Sequence, residues 1–485
     1  MQINKMKKSL GISLLLGVLN MATASAETMT LDRVLQTALT NSLPLQIAAM
    51  QTERAALESD KVNSKLGWNV TGKTNFDHDV GFTGTPSNKL NTMAGMSRML
   101  PNGDVIGGNA NYSIENSEFV FSKEFPNPAH RINLDLSYRK PLQQGAGNPL
   151  FHNGLIKAEA GTALSEESRL VLQDNFTTQV VETYYASLLI QASIKNNKQA
   201  MERAERLITF IKKNTKLGLA EEKDLLQVVA QLQSLKADQS SLQLAWLQQS
   251  AAINRLMGRA YQDKFKPVMP RSLPALPDKE QTALDEAISY SPSLRIQDAK
   301  IKLAETMLDD LRNNNKNKLD LVMSIGTRSA YGKNGMNNTV NETDYALMAG
   351  VEYSRAVDKR GIVAELEQAM MDRTIALREI ENIKLELNYA VYGLLQEITA
   401  TDAAINQYVK RVTREQQKLN EAESRYHRGR TTTQELIMFE NDLSIAKFLL
   451  QQKRIDLAHR YARLNLLRGG MAQRLMPLTM NKKGE

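Results

Sequence analysis

The strongest constraint on this chain is a duplication of 45 residues. Residues 214–258, NTKLGLAEEKDLLQVVAQLQSLKADQSSLQLAWLQQSAAINRLMG, align without a gap on residues 425–469, RYHRGRTTTQELIMFENDLSIAKFLLQQKRIDLAHRYARLNLLRG, 211 positions later. Gly218 meets Gly429, Leu225 meets Leu436, Leu232 meets Leu443, Asn254 meets Asn465, and Gly258 meets Gly469. Each copy carries a seam at alternating three- and four-residue spacing, from Leu225 to Leu256 and from Leu436 to Leu467, with eight of ten positions apolar. That is the pattern of a helix packed lengthwise against other helices. A glycine opening such a helix after another long helical stretch reads as the tip of a helical hairpin. The chain is therefore expected to contain two long αα-hairpins related by duplication.

The repeat extends further in both directions. Residues 35–47, LQTALTNSLPLQI, resemble residues 284–296, LDEAISYSPSLRI, at a separation of 249, and open helices expected to run on from them, over 31–66 in the first repeat. Between the repeats, Pro267, Pro270, Pro274 and Pro277 mark a linker that cannot continue a helix. After each leading helix the period changes to two, as at Trp68, Val70, Thr74 and Phe76 or Ile132, Leu134, Leu136 and Tyr138, with further segments around 321–328 and 345–353. The polar side of these segments suits a wet lumen, although on strand pattern alone an ordinary antiparallel sheet fits better. Long helices follow over about 155–217 and 362–428, now at a separation of 206. The first repeat thus holds 43 extra residues in its strand region, centred on 91–116, where Pro101-Asn102-Gly103-Asp104 suggests an extra hairpin at the exposed end. The expected organisation is a secretory signal over 1–26, repeat one over 27–263, a linker over 264–280, repeat two over 281–470 and a tail over 471–485.

Lengths constrain the architecture. A helix of about 63 residues spans roughly 95 Å, so two end-to-end helices of about 36 and 40 residues can lie alongside it. Lys5, Lys7 and Lys8, an apolar run and Ala24-Ser25-Ala26 form a secretory signal, with cleavage expected between Ala26 and Glu27. The mature charge of about +5 is too mild to argue for nucleic acid. With no cysteine there is neither a disulfide nor a site for an N-terminal lipid. No later stretch approaches 18 consecutive apolar residues, so a membrane crossing would have to be a β-barrel. Four strands cannot close a barrel, for which about eight is the minimum, whereas three chains would supply twelve.

Taken together, the signal, the doubled helix-strand-strand-helix-helix order, the proline linker and the two tip helices ending in Leu-x-Gly resemble the TolC family of outer-membrane efflux channels. The resemblance covers nearly the whole mature chain. It implies an α+β membrane protein: a homotrimer with a 12-stranded barrel, four strands per chain, in the outer membrane of a Gram-negative bacterium, continued by a coiled-coil tunnel through the periplasm. Such a duct serves efflux or type I secretion and docks at its tips to a periplasmic adaptor and an inner-membrane transporter. The family's constriction maps onto Glu435, six residues after Gly429, Asp224, six after Gly218, and Tyr426, three before Gly429. Thr431 and Met438 depart from the basic and acidic residues the family shows at those places. Docking maps onto Gly218, Leu219 and Gly429, with Arg430 departing from the small-residue pattern.

The tip residues also have a plainer reading. Thr432-x-x-Glu435 is a capping box, and an acidic first turn, as at Asp224, is favoured by the helix dipole. No catalytic constellation emerges: the histidines His78, His130, His152, His427 and His459 lack metal-ligand spacing, and no HExxH, Walker loop or nucleophile elbow occurs. The 21 methionines are scattered and read as core filler, and Tyr184, Tyr185 and Trp246 read as packing. Neither catalysis nor a metal or other cofactor is expected. The alternative function is a periplasmic coiled-coil adaptor or surface scaffold without transport, which would need a hairpin but neither the duplication nor the amphipathic strands.

Overall fold

The computed structural model describes residues 27–80, 86–117, 124, 126–216, 221–273, 276–277 and 279–470. In chain order the elements are β1 (Glu27–Met29), α1 (Leu31–Asn41), α2 (Leu43–Ser64), β2 (Trp68–Val80), β3 (Pro86–Met99), β4 (Val105–Ser117), β5 (Ala129–Pro141), α3 (Pro149–Lys216) and α4 (Glu222–Leu256). The linker adds β6 (Phe265–Pro267), and the second repeat follows with α5 (Glu280–Tyr290), α6 (Pro292–Asn314), β7 (Lys318–Lys333), β8 (Thr339–Ser354), α7 (Arg360–His427) and α8 (Thr433–Leu467). The expected signal and the C-terminal tail lie outside the described residues, as do Gly218 and Leu219.

The leading helix is not the single piece expected over 31–66. It breaks at Ser42, and the second repeat breaks in the same way at Ser291. Both breaks precede a proline, Pro44 and Pro292, in the first turn of the next helix. Proline lacks the N–H that would bond back into the preceding turn, which bears on both breaks, and in the second repeat the ring of Pro292 also pushes Ser291, directly before it, out of the helical region. Ser291 accordingly sits at φ −51°, ψ 108°.

The helices lie side by side in one wall. In the part nearest the strands the order is α2, α3, α6, α7, and towards the tips it is α4, α3, α8, α7. α3 and α7 have 68 residues each, about 100 Å, and α4 and α8 have 35 each. The main core sits where α1 and α4 meet α3 and α8, around Val34, Val181, Tyr184, Ile253 and Ala458. There the linker forms β6, which pairs in parallel with β1. The buried Tyr184 hydroxyl faces Met29 O at 3.0 Å and Val268 O at 2.6 Å, and it accepts from Val268 N at 3.0 Å. One side chain thus ties the start of the first repeat and the linker that follows it to α3.

The strand region departs from expectation. One antiparallel sheet runs β2-β3-β4-β5-β7-β8, giving six strands per chain where four were expected. The 91–116 insertion is the extra hairpin expected, but not at the exposed end: it supplies β3 and β4, which stand in the wall between β2 and β5 with continuous pairing on both sides. Their turn lies at the helical end. Gly103, at φ +91°, packs so close to Gly145 O that a Cβ would sit 2.8 Å from it, and Asn148 Nδ2 donates to Leu100 O at 3.2 Å. The inserted alternation is weak, with Ala94, Gly107 and Gly108 in place of larger side chains, so pairing with two flanking strands decides the outcome.

Candidate functional site

Two parts of the molecule carry the chemistry: the faces of the sheet and the tips of the hairpins. Because side chains alternate along a strand, the registers sort each residue to one face. One row across all six strands reads Val70, Met96, Gly108, Leu136, Ile325 and Leu347. These side chains meet no other element: Val70 is 75 %, Leu136 67 % and Leu347 82 % exposed. On the same face, aromatic residues stand at both ends of the strands. Trp68, with Arg98 6.0 Å over its ring, and Tyr138 lie at the helical end. At the other end His130 stacks between Tyr112 and Tyr331, its ring centroid 4.9 Å from that of Tyr331.

The neighbouring row on the opposite face reads Thr71, Gly95, Asn109, Asp135, Gly326 and Ala346, and charges cluster around it. Arg328 pairs with Asp135 at 2.7 Å, Arg131 with Glu115 at 2.6 Å, and Arg139 with both Asp320 at 3.3 Å and Glu352 at 3.0 Å. These pairs cross between strands and link β4, β5, β7 and β8 along the polar face. They were missed in the sequence, although Arg131, Asp135 and Arg139 recur every fourth residue along β5 and so share one face. Eight residues from His130 to Tyr138 rise about 27 Å along β5, or about 20 Å if the strand is tilted by 40°, close to the roughly 25 Å apolar band of a membrane barrel. No helix among the described residues is long and apolar enough to cross a membrane.

At the second tip α7 ends on Gly429, whose φ of +70° lets the chain reverse, with Gly429 N donating to Tyr426 O at 3.0 Å. α8 then opens with the expected capping box: Glu435 N donates to Thr432 Oγ1, and Thr432 N donates to Glu435 Oε2, both at 3.3 Å. Asp224 stands in the first turn of α4, whose N-cap, Glu221, makes no side-chain cap bond. The structure brings Tyr426 and Asp224 within electrostatic reach rather than into a hydrogen bond. The Tyr426 hydroxyl shares its hydrogen bond with Thr433 Oγ1 at 2.9 Å; burial raises its pKa, and the Asp224 charge adds to that rise. Met438 is half exposed on α8.

Other contacts at the tips were invisible in the sequence. Phe210 of α3 lies edge-on to His427 at 4.3 Å and beside Tyr426 at 5.9 Å. Arg203 of α3 makes a partly buried ion pair with Glu440 of α8, and burial raises the Glu440 pKa despite that partner. Gln227 donates to Gln434, and Gln231 to Asn441 at 3.2 Å, across α4 and α8. The first hairpin is thereby fastened to the second over several turns. Among the described residues no three His, Asp or Glu side chains gather as a metal cage.

No protein-family model and no curated protein sequence matches the chain. Solved structures do. The outer-membrane channel OprN superposes with a TM-score of 0.66 at 17 % identity, over 91 % of this chain and 90 % of its own. CusC, described for conformational changes accompanying folding and transmembrane channel formation, gives 0.67 at 14 % identity, over 91 % and 92 %. The outer membrane protein VceC of Vibrio cholerae gives 0.64 at 15 % identity, over 91 % and 95 %. Over about nine-tenths of its length, this chain has the fold of the TolC family of outer-membrane channels.

Proposed function

We propose that the protein is an outer-membrane exit duct. In it several chains, three by analogy with the fold's relatives, close a β-barrel in the outer membrane and a helical tunnel in the periplasm. The observation that carries this reading is the sheet: one face apolar and ringed by aromatics, the other charged and cross-paired, ending in two unpaired edge strands. In lipid an open edge leaves backbone donors and acceptors unsatisfied, so such a sheet is stable there only when closed by copies of itself. The apolar face then meets acyl chains and the charged face lines water.

The tips are the inner end of the duct. Docking of a periplasmic adaptor, which couples the duct to an inner-membrane transporter for efflux or type I secretion, is assigned to Gly429 and, from the sequence, to Gly218 and Leu219. Asp224, Tyr426 and Glu435 form the constriction. Glu435 uses one carboxylate oxygen for its cap, which leaves the other for the axis, so capping and gating are compatible roles. Membrane fractionation tests the proposal: the protein should stay in the outer membrane through a high-salt wash and leave it only in detergent, as heat-modifiable oligomers. Release by salt alone would return the chain to the periplasmic scaffold reading.

A further inference from the structure

The sheet is half again as wide as four strands per chain would make it, and its width matches the helical wall beneath it. Four helices abreast, α2, α3, α6 and α7, span about 32–40 Å at 8–10 Å between axes. Strands about 4.8 Å apart, tilted by 35–45° as in membrane barrels, each occupy about 6–7 Å of circumference, so six span about 35–41 Å. Four such strands would span only about 23–27 Å at the same tilt. β2, β5, β7 and β8 each continue into one of the four helices; β3 and β4 have no helix below them and fill the difference.

The two free edges are β2 and β8. β2 runs away from the helical end and β8 runs back towards it, so β8 of one chain and β2 of the next meet antiparallel, the arrangement at every other seam of the sheet. Their exposed apolar residues, Val70 and Phe76 on β2 and Leu347 and Val351 on β8, would then continue one outward band around the ring.

Resting on the exit-duct reading above, we propose that β2 and β8 pair with neighbouring copies of this chain to close an 18-stranded barrel, with β3 and β4 as structural staves. Three chains give a circumference of about 105–122 Å and a backbone diameter of about 33–39 Å, against about 22–26 Å for twelve strands at the same tilt. A barrel of this strand number leaves an open aqueous channel. The outward mouth is therefore about as wide as the tunnel and sets no narrower limit on cargo than the tunnel does.

The chain has no cysteine, so engineered pairs report strand neighbours cleanly. Asn69, Thr71 or Asn75 of β2, each changed to Cys and combined with Met348→Cys, Gly350→Cys or Glu352→Cys in β8, should give covalent trimers on oxidation in outer membranes for at least one combination. Asn69→Cys with Ser137→Cys should stay unlinked, because these residues share a row three strand spacings apart, about 14 Å. A four-strand wall with β3 and β4 expelled would make them neighbours and produce an intrachain disulfide, which would overturn the inference. So would a native mass of two chains, the twelve-strand alternative, or failure of every β2–β8 combination in an intact trimer. Absence of the protein from the outer membrane would instead defeat the duct reading itself.

Discussion

The two repeats agree in their helices and disagree in their strands. α3 and α7 are each 68 residues long and α4 and α8 each 35, while the first repeat contributes β2, β3, β4 and β5 to the large sheet and the second only β7 and β8. The reason is geometric. Helices that share a wall run its full height, so a length change in one repeat exposes the apolar seam of the other. Strands add sideways, and an extra antiparallel hairpin of matched length widens the sheet without disturbing any other element. Duplication is held fixed along the axis and left free around it.

The largest effect should come from removing the asymmetry. Deleting residues 86–117 joins β2 towards β5 and equalises the repeats, but it takes about 12 Å or more from each chain's arc while leaving the helical arc unchanged. Loss of heat-modifiable oligomers in the outer membrane is the expected result, read on unheated gels. Oligomers of normal abundance would show that the helical wall does not dictate the width of the sheet.

The next effect falls on the link between the repeats. Arg203→Ala strands the partly buried Glu440 carboxylate and should cost about 1–2 kcal/mol, seen as a lowered melting temperature of the detergent-solubilised protein. Arg203→Met combined with Glu440→Leu should recover most of that loss, since an apolar pair of similar size removes the unpaired charge. If the double variant melts as low as Arg203→Ala, the cost lies in shape rather than charge.

The contrast between repeats also explains what the sequence disclosed. The tip helices were legible because a long seam and a fixed glycine spacing survive duplication. The breaks at Ser42 and Ser291 were legible too, in Pro44 and Pro292, but a continuous helix was expected over the first of them because apolar spacing persists across it. β3 and β4 were half visible: Leu90, Met96 and Ile114 alternate, but Ala94, Gly107 and Gly108 flatten the pattern, and only pairing on both sides decides that they are wall. At the tips the Thr432–Glu435 box is a three-residue signal and was read directly. Arg203–Glu440 and Phe210–His427 join residues more than two hundred positions apart, and no local pattern reveals them.

A smaller effect concerns the junction where the repeats meet. His459 of α8 lies 5.2 Å from the Tyr185 ring of α3, and burial, with Arg463 adding, holds its imidazole below the usual pKa. The unfolded histidine takes up a proton near pH 6.5, while the folded one resists until lower pH. Stability from this site is thus complete above about pH 6.5 and declines as the pH falls towards and through the folded value. His459→Phe should flatten the fall in melting temperature between about pH 7.5 and 5.5. An unchanged slope would assign the pH dependence to other groups.

The smallest effects lie at the helix starts of the two tips, where duplicated helices carry unequal caps. Thr432→Ala should cost α8 about 1 kcal/mol. Glu221→Ser, which creates Ser-x-x-Asp ahead of Asp224, should stabilise α4 by about 0.5–1 kcal/mol in the same melting assay. Equal responses at the two tips would mean that the difference in capping carries no energetic weight.

The most direct test of the account is whether the charged face of the sheet encloses water across a membrane. Purified, unheated oligomers added to a planar lipid bilayer should produce discrete, long-lived conductance steps, and Tyr426→Phe combined with Asp224→Ala should enlarge those steps without changing the oligomer. Oligomers that insert into the bilayer yet give no discrete steps, in either the wild-type or the variant form, would contradict the claim that this wall closes around an open path.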